Sequence, residues 1–123
     1  MTSPCSHRDL LVWRKSVALA SKVYSATGGL PPHERDALQA EMRKSALSVA
    51  SHIAEGAARS KRADYLRHLD IARSSLTELE TQVVITSQLQ LIDSAWRLDE
   101  EIAELRRLLT ALIQRLPEQP SRC

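Results

Sequence analysis

Apolar residues along this chain recur at intervals of three and four, a periodicity that gathers them on one side of an α-helix and does not suit a strand. The first stretch, about residues 8–27, carries Leu10, Trp13, Val17, Ala20 and Tyr24 on one stripe and stops at Gly28-Gly29. Pro31-Pro32 opens the second, about 32–57, with Leu38, Met42, Ala46, Val49 and Ile53 in line. Ser60 is the expected N-cap of a third, about 61–90, whose stripe is Leu66, Leu69, Ala72, Leu76, Leu79 and Val83. Asp93 or Ser94 opens a fourth, about 94–116, where Leu98, Ile102, Leu105, Leu109, Leu112 and Leu116 alternate four-three until Pro117 and Pro120. Short connections force such helices to run antiparallel, so the pattern predicts an all-α, up-down-up-down four-helix bundle in one domain, 1–123.

A second apolar stripe lies away from the first on three of the four helices. Helix 1 has Val12, Leu19 and Val23 about 120° from its predicted core stripe, with Ser16 between them. Helix 3 has Ile71 and Ile85 nearly opposite its own. The outward side of helix 2 holds Leu47, Ser48, Ser51, Ala54 and Glu55, mostly small residues that would let another helix approach closely. Helix 4 shows solvent Glu100, Glu104, Arg107 and Gln114. Two readings stand: wide core stripes, or a homo-oligomer whose interface includes Val12, Leu19, Val23, Leu47, Ser51, Glu55, Ile71 and Ile85.

Composition adds little and excludes much. With 123 residues, 43% hydrophobic and 26% charged, the chain is globular and large enough to hold a core without metal or disulfide support. Its two cysteines, Cys5 and Cys123, sit near the two ends and read as free thiols of a cytoplasmic protein. No apolar run approaches a membrane span, and charges at Arg8, Asp9, Arg14 and Lys15 break any secretory segment.

Charge is unevenly placed. The formal total is +2, but residues 8–73 carry +5 and residues 74–123 carry −3. Arg59, Lys61, Arg62, Arg67 and Arg73 gather around the helix 2–helix 3 turn against Asp64 and Asp70, with Arg43 and Lys44 further back on helix 2. Such a cluster fits an anionic partner, and an oligomer would multiply its field. Arg43, Lys44, Arg59, Lys61, Arg62 and Arg67 are therefore the candidate contacts to RNA or DNA. With 3% aromatic residues and no Phe, binding would run through phosphates, without stacked bases.

Candidates for chemistry are thin. His52 and Glu55 lie three apart on helix 2, yet a bundle di-metal site needs Glu-x-x-His on two helices, and here the order is reversed and unrepeated. A helix-end hydrogen bond or an intersubunit contact suits the pair better. His7, His33 and His68 read as solvated side chains. No serine stands in a nucleophile elbow, and there is no glycine-rich phosphate loop. No catalytic residue, metal or cofactor is expected. The alternative to nucleic-acid binding is a protein-interaction scaffold.

Three blocks together resemble a known family: Asp9-Leu10-Leu11-Val12-Trp13-Arg14-Lys15, Ser48-Val49-Ala50-Ser51-His52-Ile53-Ala54-Glu55-Gly56, and Ala72-Arg73-Ser74-Ser75-Leu76-Thr77-Glu78-Leu79-Glu80-Thr81-Gln82. They resemble the four-helix bundle proteins encoded in 23S rRNA intervening sequences, and the accessory variability determinant of diversity-generating retroelements looks like the same family. The resemblance spans about residues 7–116. It implies a homopentameric barrel without catalysis and, in the retroelement members, a basic surface that binds nucleic acid and a reverse transcriptase. Ala50 stands where that family commonly has proline, and His52 where it commonly has asparagine. Both departures bear on hydrogen bonding near Glu55.

Overall fold

The computed structural model describes His7 and residues 10–116. Four long helices carry the chain: α1 (Leu11–Thr27), α2 (Ala40–Ala57), α3 (Arg62–Gln88) and α4 (Leu98–Arg115). Each packs on its neighbours in order and α4 closes back on α1, the antiparallel bundle that the spacing predicts. The α2–α3 pair is the most extensively packed. Cys5 and Cys123, with Pro117 and Pro120, lie outside the described residues.

A single core fills the space between the helices. Met42, Val49 and Ile53 from α2 meet Leu69, Leu76 and Leu79 from α3 and Ile102, Leu105 and Leu109 from α4, all 0–1% exposed. These are the stripes expected from the pattern on α2, α3 and α4.

On α1 the structure overturns part of the expectation: Ala20 of the expected stripe is in the core at 7% exposure, with Leu10 and Trp13 packed against its edge, but the helix is turned toward the other stripe. Val12, Ser16, Leu19 and Val23 face the core at 6%, 1%, 1% and 0% exposure, while Val17 and Tyr24 remain 38% and 39% exposed. Val12, Leu19 and Val23 are thus core residues and cannot serve as an outer interface. Both stripes are apolar, so periodicity specifies each and ranks neither. Trp13 lodges part-buried at the margin of the core, and Tyr24 stays half exposed with the Arg43 guanidinium over its ring.

Helix ends depart from the expected signals too. Gly28 keeps a right-handed conformation, so α1 is not stopped by a left-handed glycine. Its last carbonyls are captured from α2's side: Gln39 donates to the Thr27 carbonyl at 2.8 Å and Arg43 to the Tyr24 carbonyl at 2.9 Å. A 3-10 turn at Pro32–Glu34 and a π turn at Arg35–Gln39 lead into α2. Ser60 does not cap α3; Lys61 occupies that position without a side-chain bond. Asp93 accepts from the Ala95 amide at 2.8 Å, but only a 3-10 turn, Ser94–Trp96, follows. Arg97, at φ 54°, then redirects the chain into α4 four residues later than expected.

Candidate nucleic-acid interface

The site is built on the α2–α3 seam. Small or polar residues recur along α2 at Ser45, Ser48, His52 and Gly56, a helical stripe whose last three members meet Ser75, His68 and Tyr65 on α3. Ser48 and Ser75 join through their hydroxyls at 2.8 Å. His52 and His68 join Nδ1 to Nδ1 at 3.0 Å, their rings stacked. Near the turn the helices pack tightly: a Cβ on Gly56 would lie 2.9 Å from the His68 Cβ and 3.2 Å from the Tyr65 carbonyl oxygen. The central sequence block, residues 48–56, is therefore largely a packing code for α3.

That reading corrects two assignments. His68, expected in solvent, is 6% exposed, and burial, Arg67 and Arg59 hold its pKa below the ordinary value, while Glu55 pulls weakly the other way. Ser48, expected to point outward, lies in the seam. Its signal was present in the sequence, since Tyr65, His68, Ala72 and Ser75 share one face of α3 with Leu69 and Leu76.

Tight packing at Gly56 brings the end of α2 and the start of α3 together, and the turn between them carries the cations. Arg59, Lys61, Arg62 and Arg67 are all exposed there. Arg59 donates to Glu55 at 2.9 Å, and Arg67 stands 4.0 Å from Asp64, a loose pair with both side chains near half exposed. Arg62 Nε reaches the Leu116 carbonyl at the end of α4, 3.4 Å away. Exposed ion pairs of this kind hold weakly and yield to a stronger anion.

Arg43 and Lys44 are not part of this cluster. They lie roughly 20 Å back along α2, at the opposite end of the bundle. Arg43 is committed to α1: its guanidinium donates to Thr27 Oγ1 at 3.0 Å and to the Tyr24 carbonyl, and sits 4.4 Å over the Tyr24 ring. It is a structural residue, and only Lys44, exposed beside it, keeps a free face toward solvent. Arg73, on α3 beyond the turn, pairs with Asp70 at 3.1 Å.

The remaining outward residues divide as follows. Leu47 and Ile85 are 47% and 43% exposed, Ser51 and Glu55 are exposed, and Ile71 is half-buried in a shallow groove with Leu66, Asp70 and Ser74. Leu11, Val84 and Leu89 add exposed apolar surface that the sequence stripes did not single out. On α4, Glu104 and Glu101 are drawn to Lys15 and Lys22 of α1 at 3.1 and 3.5 Å, so that face is partly spent on the α1–α4 seam. Among the described residues no group of three or more His, Cys, Asp or Glu side chains is placed to hold a metal, and no helix is long and apolar enough to cross a membrane.

A family model described as 23S rRNA-intervening sequence protein matches residues 8–111. Among solved structures, a protein of unknown function from the S23 ribosomal protein family of Bacteroides thetaiotaomicron VPI-5482 has a similar fold, with TM-score 0.77 and 20% identity over 85% of this chain and 96% of its own. At that identity the likeness speaks for the fold alone. Comparison with curated proteins gave no match.

Proposed function

The chain belongs to the 23S rRNA-intervening sequence protein family, and on that premise we propose that it works without catalysis, as an oligomeric bundle in the cytoplasm that holds RNA or DNA by its phosphates. One observation carries the reading: Arg59, Lys61, Arg62 and Arg67 stand exposed together at one end of the bundle, on a turn that the Gly56 contact holds in place. Backbone contacts of this type position a nucleic acid without reading its bases, so binding is sequence-tolerant. The seam's polar side chains are engaged in packing, Ser48 with Ser75 and His52 with His68, which supports a structural use for them.

Self-association belongs to the same reading. Leu47 on α2 and Val84 and Ile85 on α3 present apolar surface outward, and Val17 and Tyr24 do so on α1. A five-membered ring is the assembly that family resemblance implies, and it would set several copies of the basic turn side by side. The same exposed residues favour the second reading, a protein-interaction scaffold whose partner is a reverse transcriptase or another protein.

Fluorescence anisotropy with labelled RNA and DNA duplexes separates the two. If four cations each neutralise one phosphate, log K falls with log salt at a slope of about −3.6. Reversing Lys61→Glu and Arg62→Glu should weaken binding at least about tenfold and flatten that slope by about two. Absence of binding at low salt, or indifference to the reversal, rejects the nucleic-acid role and leaves the scaffold.

A further inference from the structure

The two imidazoles of the α2–α3 seam form a bond that tolerates only some protonation states. A hydrogen bond between His52 Nδ1 and His68 Nδ1 at 3.0 Å needs one N–H and one lone pair, so at least one ring must be neutral. His68 is enclosed, and its Nε2 is buried without a hydrogen-bond partner. The seam cannot relax around it, because Gly56 packs against the His68 Cβ and against Tyr65. The charged and titratable groups acting on His68 are Arg67 from α3, Arg59 from the turn, and His52 and Glu55 from α2; all but Glu55 disfavour a proton there.

We propose that the His52–His68 pair is an acid-sensitive latch, closing the turn end of the α2–α3 hairpin while at most one of the two rings is charged and parting when both are. With both rings charged, each Nδ1 carries an N–H, and two donors face each other where donor and acceptor had met. Arg59 and Arg67 add to the repulsion. His52, half-buried, is the ring that can turn out to solvent; His68 is held. The segment freed is the one that bears Lys61 and Arg62, and the latch operates whether or not that turn binds nucleic acid.

The direction of the pH effect follows. In the unfolded chain both rings take up protons below about 6.5. The folded pair takes up one fewer, so its stabilisation is complete above that pH and is lost as pH falls. For one proton of difference the unfolding constant rises about tenfold per pH unit. Urea unfolding of the full chain between pH 7.5 and 5 should show this rise in the wild type, and in His52→Asn, whose side-chain oxygen accepts from a charged His68, the His68 imidazole should titrate higher than in the wild type. A pH-independent wild type, or a His68 titration unchanged by His52→Asn, overturns the proposal. Should His52→Asn fail to fold, the imidazole C–H resonances of the wild type decide. His68 titrating below the ordinary value, with amide hydrogen exchange over residues 56–69 quickening as it does, is the expected result. His68 titrating at or above that value, or exchange that does not quicken as it titrates, overturns the proposal.

Discussion

Gly56 shows how much one atom can weigh. In a helix interior, replacing glycine by alanine ordinarily stabilises by about 1 kcal/mol through backbone entropy. Here the added methyl would sit 2.9 Å from the His68 Cβ and 3.0 Å from Tyr65 Cδ1, with backbone oxygen close behind. Overpacking of this kind costs about 1–3 kcal/mol, so Gly56→Ala should lower the urea midpoint despite the better helix propensity. A raised midpoint would mean that α2 and α3 do not approach as closely as described. Leu76 and Leu105 make the complementary case, both enclosed in the core. Truncating either to alanine removes packed methyl groups and leaves a cavity, an expected loss of about 2–5 kcal/mol in chemical denaturation.

The end of α1 is held from outside the helix. Its terminal carbonyls receive Gln39 and Arg43, and Thr27 turns its hydroxyl back to the Val23 carbonyl at 2.7 Å. The π turn before α2 places Gln39 and Arg43, one helical turn apart, toward the same end of α1. Arg43→Ala should therefore destabilise by about 2 kcal/mol through lost charge-assisted hydrogen bonds, while nucleic-acid affinity stays within about twofold. Thermal melts and anisotropy on the same preparation check both halves. Sequence alone could group Arg43 with the turn cations because a charge count does not know which end of a helix a residue occupies relative to its neighbours' carbonyls. By contrast Arg59, Lys61, Arg62 and Arg67, close in sequence around one turn, stay together in space for that reason.

Across the whole bundle, inside and outside separate cleanly enough to be tested in pairs. Leu47→Asp or Ile85→Asp places a charge on exposed surface and should leave helicity intact while reducing the mass seen by light scattering, if copies associate through α2 and α3. Leu19→Asp buries a charge at a residue 1% exposed and should unfold the chain, with loss of helical circular dichroism. A folded Leu19→Asp protein would return α1 to the orientation first expected from its stripes. Unchanged mass in both Leu47→Asp and Ile85→Asp would remove these faces from any assembly.

Helix number and order were legible in the chain, though α2 begins at Ala40 and not at Pro32; so were the core faces of α2, α3 and α4, because in each of those helices one stripe is plainly more apolar than its opposite. The gathering of four cations at the α2–α3 turn was legible for the same local reason. Rotation of α1 was not: Leu10, Trp13, Val17, Ala20 and Tyr24 compete with Val12, Ser16, Leu19 and Val23, and both sets satisfy a 3.6-residue repeat. Nor were the burial of His68 and the commitment of Arg43, which exist only as contacts between helices. Periodicity belongs to one helix and can be read along it, whereas its rotation is settled by which side fits the space that three neighbours leave.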